Sequence, residues 1–208
     1  PQASDAGLGE SGELPPHASV MPREALELLA LAPGKWALDC TLGAGGHAEL
    51  MLRAVAPGGI LIGLDVDPEA LTLARARLEP LAKELNARFV ALRANFRNLP
   101  ALLAEHSPTR APDAILADLG VSSMQFDRPA RGFSFRADAP LDMRMDPSTP
   151  ETAAELLRTR SEQELADLIF HLGGEHGARR IARRLVQARE RGEPVRTTGQ
   201  LERLVRQA

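Results

Sequence analysis

The stretch KWALDCTLGAGGHAELMLRAVAPGGILIGLD, residues 35–65, decides the fold. An apolar run at 35–39 leads into a glycine-rich turn. An apolar-periodic segment over Gly46–Val55 follows, then a Pro-Gly-Gly break at 57–59 and a second apolar run over Ile60–Asp65. Runs this short and this apolar predict strands buried on both faces, and the periodic segment between them predicts a covering helix. Strand, helix and strand in that order imply parallel pairing through a crossover.

Outward from this unit the alternation continues. Residues 68–85 predict a helix with Pro68 in its first turn and Asp67 as its cap. Arg88–Arg93 (RFVALR) predicts a third strand, Leu99–His106 a helix, and 113–119 (DAILADL) a fourth strand. Upstream, Ala25, Leu26, Leu28 and Leu29 predict a helix that Pro33-Gly34 ends. The pattern as a whole predicts a parallel, doubly wound α/β sheet with right-handed crossovers. After 119 the text changes. Residues 120–150 read as loop, and from 151 onward only helices are predicted, at about 151–158, 161–172, 175–191 and 197–207. Ser161-x-x-Glu164 matches a capping box, and Thr197 or Thr198 suits the cap of the last helix. The expected organisation is a disordered leader over 1–16, an α/β domain over 17–136 and a small helical domain over 137–208.

Composition narrows the class. No apolar run approaches the ~20 residues of a membrane span. The first residues lack a basic-then-apolar signal, which places the chain in the cytoplasm. A single cysteine, Cys40, excludes an intrachain disulfide and a multi-cysteine zinc site, so no metal is expected. The net charge is −3, yet residues 175–208 hold 9 Arg against 4 Glu, a net +5. A basic segment on an acidic body suits local contact with phosphates. A solvated helix face in an Arg-rich, Lys-poor chain explains the same residues without a ligand.

The glycine turn carries the first functional signal. In Asp39-Cys-Thr-Leu-Gly43-Ala-Gly45-Gly46-His47-Ala48 the glycines allow close backbone approach, and the helix that follows offers free N–H groups. Gly43-x-Gly45-x-x-Ala48 satisfies the dinucleotide fingerprint, so an NAD-linked oxidoreductase is one reading. The carboxylates favour another. A pyrophosphate is unwelcome beside Asp39 at the end of the first strand, whereas S-adenosylmethionine brings a sulfonium and an ammonium that a carboxylate attracts. Asp118 lies near the end of the fourth strand, at the same edge. Asp65, ending the second strand, is placed for ribose hydroxyls with either cofactor. Phe96, just past the third strand, offers an apolar face to adenine. Asp39 as a helix-capping residue and Phe96 as ordinary core are the plainer alternatives.

A longer series of strings then resembles a known family. His17-x-x-Val20, DCTLGAGGHA (39–48), GLDVDPEAL (63–71), ANF (94–96), DLGVSSMQFD (118–127), RGFSF (131–135) and PLDMRMD (140–146) occur in order. Together they look like the RsmH (MraW) family of S-adenosylmethionine-dependent methyltransferases, which modify the exocyclic N4 of a cytosine in the decoding region of small-subunit (16S) ribosomal RNA. The resemblance covers residues 17–208. It implies a Rossmann-like class I methyltransferase fold carrying an inserted all-helical domain. It also implies cofactor contacts at Gly45, Gly46 and His47, Asp65 on the ribose, Phe96 beside adenine, and Asp118 and Gln125 closing the site. Ser19 stands where the family usually has Pro. Family members continue past the point where this chain stops, so the resemblance implies a sheet incomplete at its C-terminal side and leaves a non-catalytic RNA-binding remnant as a rival.

The amino nitrogen of cytosine is a poor nucleophile, so transfer would need positioning and an acceptor for N4–H. Asp118 is the candidate catalytic acceptor, although the loop reads Asp-Leu-Gly and lacks the Pro-Pro-aromatic string of many amino-methyltransferases. Phe126, Phe133 and Phe135 are candidates to hold the flipped base. Arg179, Arg180, Arg183 and Arg184 are candidates to meet the phosphates of ribosomal RNA, free or within the assembled small subunit.

Overall fold

The computed structural model describes residues 19–106 and 110–208, in two compact units divided between Leu119 and Gly120. The expected leader, 1–16, and His17 lie outside the described residues.

The first unit opens with α1 (Pro22–Leu29), which ends at Ala30 before the Pro-Gly turn. Four strands follow, β1 (Trp36–Asp39), β2 (Ile60–Asp65), β3 (Arg88–Arg93) and β4 (Ala114–Leu116). They form one parallel sheet in the order β3-β2-β1-β4. That is the order of the Rossmann half-sheet, whose reversal beside β1 opens a crevice at the strands' carboxyl ends. Helices α2 (Gly46–Val55), α3 (Pro68–Glu84) and α4 (Leu99–His106) connect the strands.

Strand alternation sorts the core into two layers. Ala37, Leu61 and Ala91 point to one face, where Met51, Leu52 and Val55 of α2 and Ala74 and Leu78 of α3 cover them. Trp36, Leu38, Ile62 and Leu64 point to the other, where α4 lays down Leu99, Leu102 and Leu103. Leu38, Leu52, Leu61 and Leu78 are fully buried, each contributing roughly 1.5–3 kcal/mol. Asp67 caps α3 as expected, its carboxylate accepting from the Glu69 amide at 3.0 Å ahead of Pro68.

The fourth strand is shorter than the predicted 113–119. Asp113 precedes the strand and is bonded twice to Trp36, its amide donating to the Trp36 carbonyl and its carboxylate accepting from the Trp36 amide, both at 2.8 Å. Pairing stops at Leu116 because its partner, Asp39, ends β1. Asp118 therefore lies beyond the strand, its amide donating to the Thr41 hydroxyl at 2.8 Å.

The second unit is helical. Residues 120–150, expected to be loop, contain α5 (Ser123–Asp127), capped by the Ser122–Gln125 box, and a 3-10 turn at Pro129–Arg131. Then come α6 (Ala153–Thr159), α7 (Glu162–Gly173), α8 (Ala178–Glu190) and α9 (Thr198–Arg206). Ser161 and Glu164 form the expected capping box, and Thr197 rather than Thr198 caps α9, paired with Gln200. Thr198 instead turns inward, its hydroxyl donating to the Ala137 carbonyl and accepting from the Ala139 amide. Ile181, Ala182 and Leu185 of α8 recur at helical spacing and pack with Leu165, Leu141 and Val195 into a separate core. Among the described residues no helix is long and apolar enough to cross a membrane.

Two of the strings quoted above brace one loop. Gly132 adopts φ +73°, and a side chain there would strike the Asp142 amide and the Pro140 carbonyl at 2.6 Å. Arg131 donates to the carbonyls of Arg144 and Met145, and its own carbonyl accepts from Met143. Arg144 forks onto Asp142 at 2.8 and 2.7 Å and reaches the carbonyls of Pro147 and Thr149. This Arg144 guanidinium holds the Asp142 carboxyl below the usual carboxylate range.

Candidate functional site

Parallel pairing puts the ends of β1, β2 and β3 and the segment after β4 at one edge, so Asp39, Asp65, Phe96 and Asp118 share it. The glycine turn runs along this edge. Asp65 reaches across from β2 and accepts from the Gly43 amide at 2.8 Å with one oxygen, and from the Asp67 amide at 2.9 Å with the other. It thereby fixes the position of the turn while remaining half-buried. Gly43 has φ +52°, and a side chain there would meet only the Thr41 carbonyl, at 4.0 Å. Gly45 is constrained twice: φ is +87°, and a side chain would meet Leu78 at 3.0 Å. At Gly46 a side chain would strike the Ser19 hydroxyl at 2.2 Å, so the segment before α1 passes directly over the turn.

Asp39 is 1% exposed. One carboxylate oxygen accepts from the Thr41 amide at 2.9 Å and the Thr41 hydroxyl at 3.4 Å. The other, Oδ2, is buried with no hydrogen-bond partner. Burial pushes the carboxyl up to about 6, against the lowering effect of the Thr41 amide and the nearby His47 ring. A buried carboxylate with an empty lone-pair direction costs the fold free energy until a cation or donor reaches it.

His47 stands in the first turn of α2, where Nε2 lies 2.9 Å from the Val20 carbonyl. A carbonyl only accepts, so Nε2 carries the proton. Nδ1 then faces Asp118, 3.8 Å from Oδ2. Thr41 was not singled out in the sequence, yet it joins Asp39 to Asp118, while Val20 and Ser19, named above only within the family resemblance, seat the turn. The signal for Thr41 is the Asp-x-Thr spacing, which forms a carboxylate-to-backbone turn.

Phe96 sits in a 3-10 turn after β3 and is 45% exposed, which removes the ordinary-core alternative and leaves its ring face open. Gln125 belongs to the second unit, where its side-chain oxygen accepts from the Ser122 amide as part of a cap. Phe126 and Phe133 meet edge to face at 6.5 Å, while Phe135 is 70% exposed. Of the four expected phosphate-binding arginines, Arg183 lies 3.6 Å from Glu162, and only Arg184 borders a hollow of the helical unit. No cluster of metal-ligating side chains occurs among the described residues.

An acidic edge around a glycine turn fits a cationic, nucleoside-bearing ligand better than a pyrophosphate, and the comparisons agree on the class. Residues 15–208 match the model of the MraW methylase family. The chain is 47% identical over 192 residues to the ribosomal RNA small subunit methyltransferase H of Syntrophobacter fumaroxidans, covering 92% of this chain and 58% of that protein. Its namesake in Halorhodospira halophila is 48% identical with the same coverage. The chain thus spans less than two thirds of the length of these relatives. Among solved structures, a SAM dependent methyltransferase from Aquifex aeolicus shares 25% identity over 36% of this chain and 38% of its own, at a TM-score of 0.31. The family match, spanning nearly every residue from the segment over the turn to the last helix, decides the question: this chain belongs to the MraW methylase family.

Proposed function

We propose that this chain carries the cofactor half and the helical domain of an S-adenosylmethionine-dependent methyltransferase. Its acceptor is the exocyclic N4 of a cytosine in the decoding region of small-subunit ribosomal RNA. The observation that carries the reading is the unpartnered, buried Oδ2 of Asp39 beside the glycine turn. A pyrophosphate there would add charge to an uncompensated carboxylate, whereas a cationic ligand relieves it. The names of the relatives supply the ribosomal RNA; the N4 position follows from the motif resemblance.

The residues present fit the cofactor. Asp65 keeps a lone pair on each oxygen for ribose hydroxyls, Gly45 and Gly46 let the backbone approach, and Phe96 presents an open ring face to adenine. When bound, the cofactor supplies an electrophilic methyl group on a sulfonium. Asp118, half-exposed at the same edge, accepts a hydrogen bond from N4–H, keeping the nitrogen electron-rich as the new bond forms. The Asp118 amide donates to the Thr41 hydroxyl, which keeps this carboxylate at the edge, 3.8 Å from the His47 ring.

Calorimetric titration of S-adenosylmethionine, with NAD as control, tests the cofactor assignment. Binding of the methyl donor alone is expected. Binding of NAD instead would overturn it in favour of an oxidoreductase. Mass spectrometry of small-subunit RNA after incubation with enzyme and donor tests the acceptor, and a methyl group on any atom other than cytosine N4 would overturn that part.

A further inference from the structure

Helices α8 and α9 each turn one polar stripe toward a shared hollow of about 630 Å³. Arg184 and Gln187 lie one turn apart on α8, Arg191 caps the end of that helix, Gln200 and Arg203 line the hollow from α9, and the connecting loop adds Arg196. Four guanidiniums thus border one space, and the sole acidic residue in its lining is Glu193, 3.7 Å from Arg191. Arg203 also acts on Asp138, whose carboxyl is held low chiefly by Thr197 and the Gly199 amide. Four like charges around one hollow repel one another, so the arrangement is stabilised by an anion that bridges them.

The chemistry of the lining narrows that anion. Guanidinium forks match phosphate oxygens bidentately. The Gln200 side-chain oxygen is occupied by the amides of Arg196 and Thr197, so this residue offers the hollow only donors. No aromatic ring lines the space, so bases have no stacking surface there, and the contact is with the backbone. The volume lies in the ~300–1,000 Å³ range of ligand clefts, far larger than a lone phosphate needs.

We propose that the α8–α9 hollow is a binding site for the phosphodiester backbone of single-stranded RNA, anchored by Arg184, Arg196 and Arg203. That the polyanion is RNA rests on the methyltransferase reading above; that it is a phosphodiester rests on the hollow. The site differs from the arginine set suggested by sequence, since Arg179, Arg180 and Arg183 do not line it.

Fluorescence anisotropy of the 208-residue chain with a labelled single-stranded RNA 12-mer, between 50 and 200 mM salt, tests this directly. The triple variant R184Q/R196Q/R203Q is expected to bind at least tenfold more weakly. Its plot of log affinity against log salt should flatten by about 2, from a slope of ~0.7 per phosphate contact. R23Q/R53Q/K83Q, which removes the same charge from the other unit, should bind within threefold of wild type. Equal weakening by R179Q/R180Q/R183Q, or wild-type affinity in the hollow variant, would overturn the site, as would a wild-type chain that binds no RNA. Far-ultraviolet circular dichroism and S-adenosylmethionine titration of each variant keep the two proposals apart. Loss of cofactor binding in wild type strikes the methyltransferase reading alone, and a hollow variant that keeps both its fold and cofactor affinity reports on the hollow alone.

Discussion

At the carboxyl edge of the sheet, Asp39 and Asp65 commit three of their four oxygens to N–H groups of the chain itself, and the fourth is sealed from water. In the α8–α9 hollow the guanidiniums of Arg184, Arg191, Arg196 and Arg203 stand at the surface of a wide opening. The first arrangement fixes charge by burial and backbone geometry, so it selects one ligand shape and resists screening. The second distributes charge over long, exposed side chains, which suits a repeating polymer and yields to salt. On the two proposals above, one chain holds two binding chemistries, with buried negative charge aimed at a cation and exposed positive charge aimed at a polyanion.

The largest effect that would break this contrast is expected at Asp65. Alanine there removes the prospective ribose acceptor and also the two bonds that hold Gly43 and Asp67. With bonds to an ionised group contributing roughly 1.5–3 kcal/mol each, S-adenosylmethionine affinity should fall at least a hundredfold. Calorimetry on D65A reads it, and a loss under tenfold would mean that the edge is not the rigid site described.

Asp39 gives the next largest effect, and its sign can be worked out. The folded chain binds the Asp39 proton more tightly than the unfolded chain, because burial raises the carboxyl from 3.8 to about 6. The corresponding stability is complete below about pH 3.8 and is lost as pH rises through about 6. At ~1.36 kcal/mol per pH unit, the ionised carboxylate costs about 3 kcal/mol at pH 7.5. Asp39→Asn cannot ionise, so urea unfolding should show variant and wild type equal near pH 4 and the variant up to ~3 kcal/mol more stable at pH 7.5. The same substitution should weaken the methyl donor, because stability and binding pull the group in opposite directions. A variant that binds normally would leave the unpartnered oxygen without a role.

Much of this edge was legible in sequence, for a physical reason. Strands β2 and β3 and helix α2 begin and end where glycine, proline or a charged residue interrupts a strong period, and those boundaries were read to the residue. Strand β4 was read too long because hydrophobicity continues through Leu119, while the ladder ends where its neighbour does. Asp39 and Asp65 could be placed because a parallel sheet brings strand ends together. That Asp39 would be left half-satisfied could not, since the outcome depends on which way Thr41 turns. The hollow was not visible at all. Its arginines are spread over both flanks of α8, the connecting loop and α9, and only the helix packing decides that Arg184 joins Arg196 and Arg203 while Arg183 joins Glu162.

The loop over 131–149 sharpens the comparison from the other side. Here an arginine is locked as firmly as the carboxylates of the sheet edge, since Arg144 serves Asp142 and two carbonyls. Arg144→Met keeps the apolar stem and orphans those acceptors in a half-buried setting, so it should cost the helical unit about 2 kcal/mol. Circular dichroism during urea unfolding should register the loss, with cofactor affinity unchanged. A silent substitution would show that arginines in this unit are uniformly surface ornaments, and the argument for a specific anion hollow would weaken with it.

The smallest expected effect is the one that separates the two chemistries most cleanly. Raising salt from 50 to 200 mM shortens the Debye length from ~14 to ~7 Å, which screens exposed charge and scarcely touches a carboxylate without solvent access. Asp39 is 1% exposed and Asp65 is half-buried, so S-adenosylmethionine affinity should change by less than about twofold over that range. RNA affinity in the same samples should drop steeply, by a factor set by the number of phosphates held. If cofactor affinity fell as steeply as RNA affinity, the cation would be meeting exposed rather than buried charge. Asp118, whose side chain is 49% exposed, would then replace Asp39 as its principal partner.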